Sequence, residues 1–430
     1  MTQTDFMFSH NLYLITIAGL GVGRSRNSSP VGYASAESLI FGASKLTKMT
    51  VAELGERFEG EFHAVPQIFS APGRVNLIGE HTDYNDGFVL PTAIGFYTRI
   101  AISPRSDRKL ALRSTEFPES YDFDLASLPQ HKTGSWSDYI LGVAQALTHA
   151  GCALEGSNLL VHGEVPIGAG LSSSAALEVA SALALLSVSN AELPLKSIAK
   201  LCQSAENEFV GAHVGIMDQF VSCFGKQGQA LWLDCRSLDF ELVPVPADVK
   251  LVICNTMVKH QLSGGEYNRR REECEQGVQI LSQFYPDIKA LRDVSTDQLA
   301  AHAAAMPQVI YKRCRHVVEE NARVIETVKS FRGDDLHRVG SLMHDSHRSL
   351  RDLYEVSCRE LDIMVESAQG LVGFYGGRMT GGGFGGCTVN LVESDQAEAF
   401  GKRIADGYRQ KTGLTPDVYI CSPANGAGAD

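Results

Sequence analysis

The sequence predicts an α+β fold arranged in two lobes. The chain has 430 residues, of which 44% are hydrophobic and 20% charged, enough to bury the cores of about two or three domains. Short apolar runs typical of strands occur at residues 99–102, 159–162, 230–233 and 250–254. Stretches with helical periodicity occur at residues 175–188, 198–210 and 322–328. Because the strands do not alternate one for one with helices, a doubly wound parallel sheet is the weaker choice.

The first 48 residues differ from the rest of the chain. Their apolar run at residues 12–22 is too short to span a bilayer, and no Lys or Arg precedes it as in a signal peptide. Four basic and two acidic side chains give this stretch a charge of +2, which leaves −14 for the remainder. We expect a flexible N-terminal extension at 1–48, with a targeting role as the alternative. The turn-rich residues 234–249 then divide an N-terminal lobe, 49–235, from a C-terminal lobe, 236–430.

Composition excludes several classes of function. A net charge of −12 disfavours sequence-independent binding to nucleic acid and binding to an anionic membrane, because both need clustered Lys and Arg. The ten cysteines form no CxxC pair, which favours a reducing cytoplasm. No cluster with zinc spacing is present, whereas Mg²⁺, which needs only oxygen ligands, remains compatible with the sequence.

Residues 71–87, APGRVNLIGEHTDYNDG, are named here the acidic segment. Arg74, Glu80, His81 and Asp83 offer several hydrogen-bond donors and acceptors over a short reach, which suits a polyhydroxylated small molecule. The alternative is a solvated turn between two strands.

Residues 165–176, VPIGAGLSSSAA, are named the glycine–serine loop. They follow a strand-like run and precede an apolar helix. Gly168 and Gly170 permit positive φ and close backbone approach, and a helix N-terminus attracts anions. The loop indicates a phosphate site but lacks the Gly-Lys-Ser/Thr ending of a Walker A motif. An ordinary glycine turn with a serine N-cap is the alternative.

Residues 376–386, named the second glycine segment, hold seven glycines in 11 positions. Such density costs conformational entropy on folding, so it indicates a structural or functional requirement. Either two backbones cross closely beside a strand here, or the segment lines a nucleotide or substrate pocket. Residues 269–273, in GGEYNRRREEC, are expected to form a solvated helical charge run.

Together the three segments resemble the signatures of the GHMP kinase superfamily and, within it, of the galactokinase family. The resemblance extends from about residue 49 to the C-terminus. Kinases of mevalonate and homoserine share the glycine–serine loop, whereas the acidic segment is far more specific. The resemblance implies a ribosomal-protein-S5-like N-terminal lobe and a ferredoxin-like C-terminal lobe, with the active site between them.

The resemblance also implies roles for individual residues. The residues matched to sugar contacts are Glu80, His81, Thr82, Asp83 and Tyr267. Those matched to the ATP site are Thr115, Gly168, Ala169, Gly170, Leu171, Ser172, Ser173 and Ser174. Ser174 and Glu206 match Mg²⁺ ligands, Asp218 matches the general base, and Arg74 matches the neighbouring cation.

The implied activity is transfer of phosphate from ATP to the anomeric hydroxyl of galactose. Phosphorylation of N-acetylgalactosamine or arabinose is one alternative, and a non-catalytic sensor of ATP and galactose is another. The family resemblance implies a monomer, and galactose and ATP are the expected partners, without nucleic acid or membrane.

Overall fold

The computed structural model describes residues 48–259 and 263–430. Apart from Lys48, the expected flexible extension at 1–48 lies outside the described residues. The strands are β1 Gln67–Asn76, β2 Phe88–Val89, β3 Pro91–Pro104, β4 Lys109–Ser114, β5 Tyr121–Asp124, β6 Ser157–Gly163, β7 Gln229–Asp234, β8 Phe240–Pro244, β9 Val249–Lys259, β10 Phe374–Thr380, β11 Gly385–Glu393, β12 Asp417–Cys421 and β13 Gly428–Ala429.

The helices are α1 Val51–Phe62, α2 Asp138–His149, α3 Ser173–Val188, α4 Leu195–Ser204, α5 Met217–Phe224, α6 Ser263–Leu281, α7 Thr296–Ala301, α8 Gln308–Arg332, α9 Leu336–Ser349, α10 Arg359–Ala368 and α11 Ala397–Thr412. Every strand and helix predicted from the sequence falls within these elements; the predicted helix 198–210 ends as a π-helical turn, Ala205–Val210. The α+β prediction is therefore confirmed.

Three sheets organise the described chain. The largest has the order β13-β1-β3-β6-β4-β5 and is antiparallel except where β4 runs parallel to β6. A four-stranded antiparallel sheet has the order β10-β11-β9-β12, and a three-stranded sheet joins β2, β7 and β8. The described residues belong to one compact unit, so the division at 235/236 stays a prediction.

Alternating side chains place β9 between two cores. Leu251 and Ile253 pack in one hydrophobic cluster, and Val252 and Cys254 pack in another with Phe400. The first of these clusters also contains apolar residues of the acidic segment and of the glycine–serine loop, namely Val75, Leu77, Ile78, Val165, Ala169, Leu171 and Ala176. The two polar motifs are thus anchored in one shared core. Among the described residues, no helix is both long and apolar enough to cross a membrane.

Candidate active site

An arginine–aspartate pair lies where the acidic segment meets α5. Arg74 Nε donates to Asp218 Oδ1 at 2.8 Å, and Arg74 Nη2 donates to Oδ2 at 2.6 Å. Burial alone lowers the pKa of Arg74, but the charge and hydrogen bonds of Asp218 outweigh it and raise that pKa. Two parallel bonds of this kind fix both planar groups in one orientation. Asp218 is 21% exposed, so its carboxylate remains accessible from the cavity.

The glycine–serine loop closes over the same pair. Arg74 Nη1 donates to the Gly170 carbonyl at 2.6 Å, and the Arg74 backbone N–H donates to the Leu171 carbonyl at 3.0 Å. A β-carbon at Gly73 would lie 2.6 Å from the Leu171 oxygen, so glycine is required for this approach. The loop conformation therefore depends on Arg74 and on the glycine before it.

Ser172 occupies the N-cap position of α3 in the left-handed region, with φ 62° and ψ 49°. Its hydroxyl donates to Asp218 Oδ2 at 2.6 Å and makes no capping bond with the helix. The ordinary serine cap considered from the sequence is therefore wrong at this position, because the left-handed backbone directs Ser172 toward Asp218.

The second glycine segment lies against the loop. A β-carbon at Gly381 would lie 3.2 Å from the Gly170 oxygen, and one at Gly386 would lie 3.3 Å from the Ala169 oxygen. Gly381 also lines the cavity described below. The structure confirms the close backbone approach, and Gly381 and Gly382 line a cavity; that this cavity binds nucleotide or substrate stays a prediction.

Glu80 is held rigidly at the floor of the site. It is 2% exposed, and its Oε1 accepts from the Gly381 N–H at 2.7 Å and lies 3.3 Å from Arg378 Nη2. Its Oε2 accepts from Asn76 Nδ2 at 3.1 Å. The carboxylate therefore presents a fixed acceptor edge.

His81, Asp83 and Tyr267 surround the cavity with Glu80. His81 adopts a positive φ of 63°, and its Nδ1 lies 2.8 Å from the Tyr84 hydroxyl. Burial lowers the pKa of His81 and raises that of the Tyr267 phenol, so both side chains are neutral near pH 7. Burial, followed by the charge of Asp218, raises the pKa of Asp83 to about 7.

The cavity between these groups has a volume of about 150 Å³. It is lined by Arg74, Glu80, His81, Asp83, Val214, Gly215, Met217, Asp218, Tyr267, Gly381 and Gly382. Six of these eleven residues carry a polar or charged side chain, and their polar groups converge on a small volume, as a small hydrophilic ligand requires.

Thr82 is the exception among the residues expected to contact the sugar. It is fully buried, and its hydroxyl bonds to the carbonyls of Gly79 at 2.8 Å and Phe88 at 2.7 Å. Its side chain supports the turn and does not line the cavity, because both bonds direct the hydroxyl toward the backbone.

Glu206 and Ser174 form an oxygen-rich group beside Asp218. Ser174 hydrogen-bonds to Glu206, and Gln219 Nε2 donates to Glu206 Oε2 at 2.6 Å. Burial, followed by the charge of Asp218, raises the pKa of Glu206 to about 7. Gln219 Nε2 also lies 3.0 Å from an oxygen of the fully buried Glu178.

Thr115 lies at a second cavity of about 360 Å³. Its Oγ1 lies 2.7 Å from His162 Nδ1, and Glu116 accepts from the Gly163 N–H at 3.1 Å. Gly163 ends β6, just before the glycine–serine loop. Thr115 is thus near the start of the loop but does not line the first cavity.

Three contributors to the cavity were missed from the sequence. Val214, Gly215 and Met217 precede Asp218 and line the cavity, where Gly215 lies against Asp83 of the acidic segment. Their proximity to Asp218 along the chain was the available signal. The expectation of a solvated charge run at residues 269–273 is wrong for Arg270 and Glu273, which are 5% and 6% exposed. Arg270 Nε donates to the Tyr354 carbonyl at 2.8 Å, and Glu273 Oε2 lies 2.8 Å from Arg313 Nε.

Family models match the chain in the order of its motifs. The galactokinase galactose-binding signature matches residues 56–104, the GHMP kinases N terminal domain matches 138–226, and the GHMP kinases C terminal model matches 327–410. A mevalonate kinase crystal structure with 19% identity has a TM-score of 0.59 and covers 83% of this chain and 99% of its own, which shows the shared fold. Fold and site together define the class: a GHMP kinase.

Sequence and structural relatives identify the family within this class of kinases. The chain is 45% identical to a galactokinase of Roseiflexus sp. (strain RS-1) over 88% of this chain and 97% of the relative. It is 44% identical to a galactokinase of Chloroflexus aurantiacus over 86% and 95%. The crystal structure of Lactococcus lactis galactokinase complexed with galactose has 37% identity and a TM-score of 0.85, covering 88% of this chain and 99% of its own. The chain belongs to the galactokinase family.

Proposed function

We propose that the protein transfers the γ-phosphoryl group of ATP to the anomeric hydroxyl of galactose, giving galactose 1-phosphate and ADP. The observation that carries this proposal is the bidentate Arg74–Asp218 pair. Both residues line the cavity of about 150 Å³, and Arg74 also contacts the glycine–serine loop. The sequence and structural relatives support the same reaction.

Galactose would occupy the 150 Å³ cavity. Glu80 offers fixed acceptor oxygens to sugar hydroxyls, and Asp83 offers a second carboxyl group nearby. The neutral ring of His81 and the neutral phenol of Tyr267 each exchange hydrogen bonds with hydroxyl groups without the cost of burying a charge.

Asp218 would accept the proton of the attacking hydroxyl. Proton transfer comes late in the loose transition state of phosphoryl transfer, so a carboxylate within hydrogen-bond reach is sufficient as base. Arg74 keeps this carboxylate oriented and stabilises charge that develops on the transferring group.

The nucleotide phosphates would lie on the glycine–serine loop, at the N-terminus of α3, where backbone N–H groups and the helix dipole favour an anion. The residues that we assign to this role are Gly168, Ala169, Gly170, Leu171, Ser172, Ser173 and Ser174. Thr115, at the second cavity, would then lie toward the base end of ATP.

Ser174 and Glu206 fit a magnesium ion. A hydroxyl and a carboxylate are oxygen ligands of the kind that Mg²⁺ prefers. Burial and then the charge of Asp218 raise the pKa of Glu206, and a divalent cation would offset both by stabilising the carboxylate. When bound, such an ion neutralises phosphate charge during transfer. Gln219 holds the Glu206 carboxylate in place through its side-chain amide.

The related-sugar and sensor alternatives have no specific support. The Arg74–Asp218 pair is complete, which a sensor without turnover does not require. The ten cysteines, all within the described residues, are unpaired, which agrees with a reducing cytoplasm. We propose that the protein acts there as a monomer, and light scattering after size exclusion tests its oligomeric state.

The test is a coupled ADP-release assay on a panel of hexoses, pentoses and amino sugars. We expect turnover on galactose, and we expect Asp218→Asn to keep galactose binding while losing most of kcat. Asp239→Asn, at a side chain 83% exposed, is the matched control and should behave like wild type. Saturable ATP binding without turnover on any sugar would support the sensor instead, and equal kcat for Asp218→Asn would remove Asp218 from the mechanism.

A further inference from the structure

One face of α8 hydrogen-bonds to the main chain around the acidic segment. Glu320 Oε1 accepts from the Gly79 N–H at 3.0 Å, and Asn321 Oδ1 accepts from the Phe88 N–H at 2.9 Å. His316 Nε2 lies 3.2 Å from the Glu80 carbonyl oxygen. The three bonds thus hold the turn 79–88 at both of its ends, and their partners in α8 lie 233 to 241 residues further along the chain.

Helix α8 and the main chain of the acidic segment also approach each other closely. A β-carbon at Gly79 would lie 2.9 Å from Val324 Cγ2, and one at Gly87 would lie 2.4 Å from Asn321 Oδ1. Glu320 and His316 are fully buried, and Asn321 is 8% exposed. Water therefore has little access to replace a lost bond, and each backbone N–H depends on its partner in α8.

The charges on this face are compensated. Glu320 Oε2 accepts from Arg323 Nε at 2.6 Å, and Oε1 also accepts from the Ser346 hydroxyl at 2.6 Å. Burial raises the pKa of Glu320, but Arg323, His316, Arg378 and Ser346 outweigh burial and lower it to about 2.

His316 is neutral on the same face. Burial lowers its pKa to about 4. Because the Glu80 carbonyl only accepts, the ring proton lies on Nε2, and Nδ1 accepts from the Ser349 hydroxyl at 2.8 Å.

We propose that Glu320 and Asn321 are positioning residues for sugar binding, which they control by fixing the main chain on either side of Glu80, His81 and Asp83. This inference rests on the proposed function of the cavity. The Arg74–Asp218 pair is held by its own bonds and by the glycine–serine loop. Loosening the turn should therefore weaken galactose binding and leave the phosphoryl-transfer groups and the ATP site intact.

The experiment compares two double variants that both lack the Glu320–Arg323 ion pair. Glu320→Gln with Arg323→Met keeps an amide oxygen for the Gly79 N–H, whereas Glu320→Leu with Arg323→Met removes it. We expect the galactose KM of the Leu variant to exceed that of the Gln variant about tenfold, the scale of one lost buried hydrogen bond. The ATP KM and kcat at saturating galactose should agree within about twofold.

A second pair of variants, at Asn321, tests the proposal if Glu320→Leu with Arg323→Met does not fold. Asn321→Asp keeps an oxygen for the Phe88 N–H, whereas Asn321→Leu does not, and the same rise in galactose KM is expected. Equal galactose KM values within both folded pairs, or an equal rise in the ATP KM, would overturn the proposal.

A hydrogen-exchange measurement separates this inference from the proposed function. The amides of Gly79 and Phe88 should exchange at least about tenfold faster in the Leu variants than in their polar counterparts. Faster exchange together with a wild-type protein that turns over no galactose would mean that the assigned reaction is wrong while the positioning bonds are real. Unchanged exchange would refute the positioning role directly.

Discussion

The carboxylate of Asp83 lies directly against Gly215. A β-carbon at Gly215 would lie 1.8 Å from Asp83 Oδ2, so any larger residue displaces that carboxylate from the cavity wall. We expect Gly215→Ala to raise the galactose KM about tenfold or more, the effect of losing one polar contact. Steady-state kinetics with galactose as the varied substrate measure this change.

Gly60→Ala is the matched control for this prediction. Gly60 lies in the exposed part of α1, and a β-carbon there meets no atom within 4 Å. This variant should keep wild-type kinetics and gain about 0.5–1 kcal/mol of stability from helix propensity. Equal galactose KM values for both variants would show that Asp83 does not need its place beside Gly215.

The raised pKa of Asp83 predicts a pH-dependent stability. Its pKa is about 7 in the folded protein and about 3.9 in an unfolded chain, so the folded state binds more protons between these values. This group therefore lowers the free energy of unfolding as pH rises from about 4 to about 7. Urea unfolding of wild type and Asp83→Asn at several pH values should give a smaller decline for the variant, and identical slopes would contradict the assignment.

Between helices, a buried ion network joins α6 to α8. Arg313 Nε lies 2.8 Å from Glu273 Oε2, with side chains 3% and 7% exposed, and Arg313 Nη2 lies 2.8 Å from Glu355. Arg313→Met would leave Glu273 with the longer contacts of Arg269 and Arg270 only, so it should cost about 1.5–3 kcal/mol of unfolding free energy, the contribution of a hydrogen bond to a charged group. Arg269, 62% exposed, pairs with the same Glu273 at 3.2 Å, and Arg269→Met should cost less than about 1 kcal/mol. Equal urea midpoints for the two variants would be inconsistent with this network.

The secondary-structure elements around the site show which parts of the structure could be predicted from the sequence and which could not. Asp218, Arg74, Glu80 and Tyr267 line one cavity, and local patterns predicted several of the elements around it, among them β6 and α3, but not α5, which carries Asp218. The support from α8 could not be predicted, because a glutamate within a charged helix gives no sign that its partner is the N–H of Gly79. Burial of such residues depends on tertiary packing, which the spacing of charges does not encode.

At the scale of the whole molecule, residues 424–430 include β13, which forms one edge of the largest sheet. β13 pairs with β1, and backbone N–H groups donate from Ala424 to Ala93, from Gly426 to Gly225 and from Asp430 to Ile68. Deleting residues 424–430 should lower the free energy of unfolding by at least about 2 kcal/mol, since each lost hydrogen bond contributes about 0.5–1.5 kcal/mol.

The substitution Asp430→Asn removes the charge of the Asp430 side chain and leaves β13 in place. It therefore separates the contribution of that charge from the contribution of the strand pairing. Arg99 lies 3.3 Å from Asp430 but also 2.8 Å from Glu164, so it keeps a partner in this variant. We expect a loss of about 1 kcal/mol or less by urea denaturation. A deletion no more destabilising than this substitution would mean that the strand pairing contributes little.

The two sides of the cavity differ in how freely they can be redesigned. Glu80 is tied to Asn76, Arg378 and Gly381, so a change there disturbs several elements at once. The residues before Asp218 include Val214 and Met217, whose apolar side chains offer only packing, and methionine adapts readily to new neighbours. A library meant to change the accepted sugar should therefore vary Val214 and Met217 and leave the acidic segment untouched.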